Sequence, residues 1–328
     1  MKALVTGGGG FLGLAVVRKL RERGDEVRSF SRSAYPALDD LGAESVRGDL
    51  AEEKDVIDAA SGCDIVFHLA AKAGVWGPAS SYERTNVVGT DNVLKACGAA
   101  AIKRLVYTST PSVTFAGTDQ VGVDESAPYP ARYLNDYSRT KSIAERRVLE
   151  SNGENLATVS LRPHLIWGPG DPHLVPRLLD RARSGRLRLL GDRPNQVDSV
   201  YVDNAADAHI LAADRLAPGS AIAGKAYFIT QGEPLALADL INRILAAGGL
   251  APVERRISPR LAYFLGAALE GAYGLLGIVR EPPMTRFVAR QLSTAHWFDI
   301  SAARRDLGYA PAISLDEGMK RLASSLAG

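Results

Sequence analysis

Thr6-Gly-Gly-Gly-Gly-Phe-Leu-Gly13 is the stretch on which the fold turns. It follows a short apolar run, Ala3-Leu-Val-Thr6, and opens a helical pattern that lasts to Gly24. Gly7, Gly10 and Gly13 have the G-x-x-G-x-x-G spacing of a strand-to-helix turn that cradles a dinucleotide pyrophosphate. Glycines let the backbone turn tightly and approach the phosphates, and the helix N-terminus favours their negative charge. Gly7, Gly10, Phe11, Leu12 and Gly13 are therefore expected to hold a nucleotide. A glycine-rich turn with no ligand is the competing reading.

Working outward, apolar strand patterns recur at 26–30, 45–47, 64–69, 103–109 and 156–161. Helical patterns fit between them near 52–60, 84–100 and 137–151, with Asp136 as a cap for the last and Asn152-Gly153 as its close. The alternation predicts an α/β fold: a doubly wound parallel sheet of the NAD(P)-binding Rossmann kind, covered on both faces. Beyond Pro163 the pattern loosens at Gly168-Pro-Gly-Asp-Pro172, and helices follow near 174–184, 204–216 and 236–247. This divides the chain into a dinucleotide-binding domain, 1–163 plus about 195–232, and a smaller substrate-binding lobe, 164–194 and 233–328.

The end of the second strand selects the dinucleotide. An acid there would bind the ribose 2′-hydroxyl of NAD. Here Ser31-Arg32 stands in that place, with no acid until Asp39. A hydroxyl and a guanidinium suit a 2′-phosphate, so NADP(H) is expected, with NAD(H) as the alternative. A solvated surface arginine is the competing reading of Arg32. Asp49-Leu50, after the third strand, is placed to touch the adenine, although Asp49 would serve equally as a loop cap.

Tyr137-Ser-Arg-Thr-Lys141 puts a tyrosine and a lysine on one helix face, one turn apart. A lysine charge favours the phenolate, which predicts a tyrosine pKa pulled toward neutrality and a proton donor for redox at a carbonyl. Thr110 lies at the rim where the fifth strand ends and is expected to hold the substrate oxygen, with Ser109 and Ser112 as alternatives. Asn86 reads either as a helix residue or as the anchor of a water beside Lys141. His68 reads as a satisfied core histidine. Glu145 and Arg146 read as solvated. No spacing suggests a metal site.

The bulk properties are those of an ordinary soluble globular protein. The 328 residues are 46% hydrophobic and 23% charged, with net charge +2 and scattered arginines, which gives no footprint for nucleic acid. Cys63 and Cys97 alone make no disulfide framework. The first residues run straight into a strand, which predicts no secretory signal and a cytoplasmic protein. Leu261 to Val279 is nearly all apolar, and Glu270 and four glycines argue against a span. It is expected to be a buried or substrate-covering helix, with attachment at a membrane surface as the minority reading.

With these residues placed, the chain resembles the extended short-chain dehydrogenases/reductases along its whole length. Thr6–Gly13, Asp49-Leu50, Leu69-Ala-Ala71, Thr108–Ser112, Tyr137/Lys141 and Arg162-Pro163 fall in that family's order. Asp299 to Pro311 is like the C-terminal signature of its 3β-hydroxysteroid dehydrogenase type. Tyr107–Val113, Leu161–Gly170 and Gly224–Thr230 resemble the 2-alkyl-3-oxoalkanoate reductases of bacterial long-chain olefin biosynthesis. The resemblance implies Tyr137 as proton donor and acceptor, Lys141 on the nicotinamide ribose, and the third hydroxyl at Thr110, where many relatives have serine. It adds Ala70, Ala71 and Pro163 to the cofactor site.

It also implies an apolar substrate, a homodimer through the helices near 84–100 and 137–151, and work beside other olefin-biosynthesis enzymes. Sugar-nucleotide members of the superfamily often carry an arginine where this chain has Val197, which counts against a diphosphate substrate. Arg193 is near enough in sequence to keep that reading open. For the keto acid's carboxylate, Arg162, His164, His173 and Arg193 are the neighbours. Trp76 and 261–279 are expected to line the apolar pocket. The competing functions are a 3β-hydroxysteroid or sterol dehydrogenase and an NADP-binding sensor without chemistry.

Overall fold

Seven parallel strands form the central sheet of the computed structural model, which describes residues 1–327. In chain order they are Lys2–Thr6, Glu26–Ser31, Glu44–Arg47, Ile65–His68, Arg104–Thr108, Ala157–Pro163 and Lys225–Ile229. In space they run third, second, first, fourth, fifth, sixth, seventh. The order reverses between the first and fourth strands, and ligands bind outside the strand ends at such a point.

Side-chain alternation explains the two covering layers. Ala3 and Val5 of the first strand pack with Val16 and Leu20 of helix Phe11–Glu22 and with Ala205 and Ala212 of helix Val202–Arg215. Leu4, between them, faces the other way, toward Val56, Val93, Ala144 and Val148 on helices Glu53–Ala60, Gly89–Ala99 and Asp136–Glu150. Both layers are apolar, so the strands read as continuous hydrophobic runs.

The second lobe carries helices Leu174–Arg183, Leu237–Ala247, Pro259–Leu275 and Arg286–Ser293. A four-stranded sheet braces it, ordered Leu235–Ala236, Gln196–Val197, His296–Phe298 and Gln120–Val123.

Three local expectations change. The cap of the Tyr137 helix is Asn135, whose extended backbone lets its side chain accept from the Ser138 N–H at 2.8 Å, while Asp136 is already helical and pairs with Arg139. The helix near 84–100 begins with a wider π-helical turn at Glu83–Val88. The apolar helix at Pro259–Leu275 is not buried. Only its small residues Ala262 and Gly266 are covered, because they let it lie against the Thr285–Arg286 backbone; a Cβ on Gly266 would come within 2.7 Å of it. Phe264 and Leu275 are 69% and 90% exposed. No helix among the described residues is long and apolar enough to cross a membrane.

Candidate active site

The glycine turn is built for close approach. Gly7 has φ of 72°, and a Cβ there would sit 2.9 Å from the Ala70 Cα. Only glycine meets both conditions without strain. A Cβ on Gly13 would fall 2.1 Å from the Gly7 carbonyl oxygen, so this glycine lets the helix close onto the turn. Gly10, in extended conformation, caps that helix, and Phe11 and Leu12 are its first residues.

A cleft of about 250 Å³ opens beside the turn, lined by Gly7, Gly10, Ser31, Arg32, Asp49, Leu50, Ala70 and Ala71. These are expected cofactor residues brought to one place. Arg32 is exposed, and the Ser31 hydroxyl donates to the Ser33 carbonyl at 2.9 Å. Asp49 both lines the cleft and caps its loop: its carboxylate accepts from the Ala51 N–H at 3.0 Å and from Arg84 at 3.1 Å, which lowers its pKa. Tyr35 also lines the cleft, its ring so close over Gly9 that a Cβ there would lie 2.1 Å from it. Sequence reading missed Tyr35; an aromatic before a proline, three residues past Arg32, was the available signal. A backbone cradle, a helix N-terminus and an arginine at the far end fit a dinucleotide.

The reacting groups stand at the sheet edge where the fifth and sixth strands end. Thr108 pairs with Leu161, so Thr110 and Pro163 lie side by side just beyond. The half-buried Tyr137 lies near Thr110, whose hydroxyl favours the phenolate. Thr110 also shares a hydrogen bond with the Ser112 hydroxyl at 2.9 Å, while the buried Ser109 hydroxyl has no hydrogen-bond partner. Of the three hydroxyls, Thr110 therefore stands beside the phenol. Lys141 is buried, donates to the Thr108 carbonyl at 2.7 Å and lies 4.1 Å over the Tyr107 ring.

The electrostatics correct the simple picture of an acidified tyrosine. Burial pushes the Tyr137 phenol up to about 12, with the Thr110 hydrogen bond opposing the rise. Burial pulls the Lys141 ammonium down to about 7, against the pull of Glu145. Desolvation disfavours the charged form of each, and it is the largest cause of both shifts.

His68 is a satisfied core histidine. The Thr90 hydroxyl gives its hydrogen to the Asn86 carbonyl at 2.7 Å and so accepts from His68 Nε2 at 2.9 Å; Thr6 then donates to Nδ1 at 2.7 Å. Asn86 is structural. Its amide donates to the Lys72 carbonyl and to Thr140, and its oxygen accepts from the Lys72 N–H, which leaves no side-chain donor for a water.

Glu145 is not solvated, although Arg146 is exposed. Glu145 is wholly buried and pairs with Arg162 at 2.7 Å, with Tyr129 and Ser160 donating to the same carboxylate. Its sequence signal was position: 137, 141 and 145 share one helix face. The pair occupies Nε and Nη2 of Arg162 and leaves its buried Nη1 without a partner. His164 is also committed, in contact with His296 at 2.7 Å. Trp76 donates to the Ile278 carbonyl at 3.0 Å and packs edge-on against Tyr273, so it anchors the 259–275 helix rather than meeting it across a pocket. Val197 is buried and paired with His296, and presents no cation. Arg193 is exposed in a separate cleft with Asp192 and Arg256.

The profile of the 3-beta hydroxysteroid dehydrogenase/isomerase family matches residues 4–258. The chain is 56% identical to the 2-alkyl-3-oxoalkanoate reductase of Stenotrophomonas maltophilia, covering 100% of both. It is 53% identical to that of Shewanella oneidensis, over 99% of this chain and 86% of the other. A 3-beta-hydroxysteroid dehydrogenase of Mycolicibacterium neoaurum is 37% identical over 97% and 89%. The crystal structure of gox2253 superposes with TM-score 0.79 at 29% identity, covering 99% of this chain and 97% of that one. A Thermus thermophilus UDP-glucose 4-epimerase in complex with NAD superposes at 0.76 and 25%, over 100% and 99%.

Proposed function

The chain belongs to the 3-beta hydroxysteroid dehydrogenase/isomerase family, and on that premise we propose that it reduces a 2-alkyl-3-oxoalkanoate to the 2-alkyl-3-hydroxyalkanoate with NADPH. Full-length identity of 56% to a reductase of that name carries the reading. The more distant steroid and sterol dehydrogenases support the alternative less strongly. The protein is an oxidoreductase that uses a nicotinamide cofactor.

Gly7, Gly10, Gly13 and the Ala70–Ala71 loop would hold the cofactor, with Ser31 and Arg32 toward a 2′-phosphate, and the bound nicotinamide would supply the hydride. Thr110 orients the C3 carbonyl oxygen toward Tyr137. Tyr137 gives its proton to that oxygen as it becomes an alkoxide. A phenol with a raised pKa is fully protonated at neutral pH, ready to donate. In the reverse direction the same oxygen takes the proton from the 3-hydroxyl. Lys141 holds the Thr108 carbonyl and so fixes the strand end that carries Thr110. Positioning and proton donation together are the contribution of this site.

Work beside other olefin-biosynthesis enzymes, in the cytoplasm, belongs to the same proposal. So does a homodimer through the 83–99 and 136–150 helices, the first of which leaves Val88 exposed. The exposed apolar side chains of the 259–275 helix, with Arg260 and Arg280 at its ends, favour contact with an anionic membrane surface.

The test is substrate choice. Purified protein is given NADP with a 2-alkyl-3-hydroxyalkanoate, and separately NAD or NADP with a 3β-hydroxysteroid. Turnover of the hydroxy acid supports the proposal; turnover of the steroid alone removes it.

A further inference from the structure

A second cavity, about 180 Å³, lies between helices Leu174–Arg183, Leu237–Ala247 and Arg286–Ser293. Leu165, Leu178, Leu240, Ile244 and Val288 are among the side chains that face it. Its polar members are Arg177, Arg181, Gln291 and His296. The three with mapped side-chain bonds have committed them. Arg177 pairs with Glu281, and Arg181 donates to the Pro283 carbonyl at 2.9 Å. His296 Nε2 donates to the Gln291 carbonyl at 2.8 Å, so Nδ1 accepts from His164 Nε2 at 2.7 Å. The arginines thus contribute chiefly their carbon stems. A space with mostly aliphatic walls, in which both arginines and the histidine are already bonded, suits hydrocarbon.

Its place ties it to the reacting carbonyl. The loop after the fourth strand lines the cofactor cleft with Ala70 and Ala71, and the apolar cavity with Val75. Leu165 comes two residues after Pro163, at the sheet edge that carries Thr110. The cofactor cleft and the cavity therefore share the carboxyl rim of the sheet, with the reacting groups at the same rim.

Leu165 itself has φ of 41°, a left-handed conformation that a branched side chain rarely adopts. Glycine would make the same turn without strain. Its carbonyl is used, accepting from the Val200 N–H at 3.3 Å, and its side chain is left as part of the cavity wall. Strain held at such a point marks a functional constraint.

We propose that this cavity receives one alkyl chain of the substrate and sets the chain length the enzyme prefers, a proposal that rests on the reductase reading. Each methylene buried there favours the bound state by about fourfold. Chain-length preference should therefore climb until the cavity is full, then level off.

The test uses 2-alkyl-3-hydroxyalkanoates of increasing chain length, oxidised with NADP, because the hydroxy acids are stable where the keto acids decarboxylate. For the wild type, kcat/KM should rise severalfold per added methylene to a plateau. Val288→Phe should move the plateau to shorter chains, and Leu165→Gly to longer ones. A plateau at the same length in both variants, or an equal loss at every length, would overturn the proposal. Tetradecanoate, a chain without a hydroxyl or ketone to react, separates this from the reductase reading through thermal shift. It should raise Tm in the wild type and fail to do so in Val288→Phe. If no hydroxy acid is turned over, a tetradecanoate effect lost in that variant still supports the cavity, and an equal or absent effect in both removes it.

Discussion

Lys141 donates to the carbonyl oxygen of Thr108 at 2.7 Å, which ties the helix of the proton donor to the strand that ends in Thr110. The bond keeps the ammonium in a buried place where burial pulls its pKa down to about 7. The folded value lies below the ordinary 10.5, so between the two the unfolded chain binds more protons. Stability therefore rises as pH goes from about 7 toward 10.5. The full difference corresponds to about 5 kcal/mol at 1.36 kcal/mol per pH unit, as an upper limit. Urea denaturation at pH 7 and pH 9 should show this rise in the wild type, and Lys141→Met should flatten it. An equal slope in both proteins would place the titrating group elsewhere.

Tyr137→Phe keeps the ring and removes the proton. Turnover should fall by roughly 10²- to 10⁴-fold, the range for a general acid. Binding of NADPH, followed by fluorescence titration, should hardly move, since Tyr137 is not among the residues lining the cofactor cleft. Surviving activity would mean that another group donates the proton.

Glu145 and Arg162 are 0% and 3% exposed in their side chains. Removing one partner leaves an uncompensated buried charge, at a cost of about 3–5 kcal/mol. Glu145→Gln should lower the free energy of unfolding, read from urea denaturation, by that amount, and Glu145→Gln with Arg162→Met should recover much of it. Arg162 keeps the Glu145 pKa low despite its burial, so this contribution is present above the carboxylate's ordinary range near 4.5 and is lost as pH falls through the lower folded value. A double variant no better than the single would show that the pair is not the unit that matters.

Arg32 is exposed at the mouth of the cofactor cleft. Arg32→Ala should raise KM for NADPH about tenfold or more and leave KM for NADH within about twofold, because a charge-assisted bond to a phosphate is worth roughly 1.5–3 kcal/mol. Equal changes for both cofactors would assign Arg32 to the surface.

Local chemistry made the fold legible. Gly7, Gly10 and Gly13 can sit where they do only in one kind of turn, and strands such as Ile65–His68, buried on both faces, read directly as parallel sheet. Tyr137 and Lys141 were visible because four residues make one helical turn. Glu145 shares their face but its partner is seventeen residues on, in another element, and pairing over that distance leaves no periodic trace. The 259–275 helix reads as buried from its composition, yet burial needs a partner, and only Ala262 and Gly266 are fully covered by one. The raised Tyr137 pKa was hidden for a related reason: sequence shows the lysine one turn away but not the desolvation that raises the phenol.

The central claim is tested most directly by following the hydride. NADPH carrying deuterium at both nicotinamide C4 positions is mixed with a freshly prepared 2-alkyl-3-oxoalkanoate and the protein, and the product is read by mass spectrometry. The account predicts a 2-alkyl-3-hydroxyalkanoate with one deuterium, on C3. Unchanged keto acid, or a product without that deuterium, would contradict it.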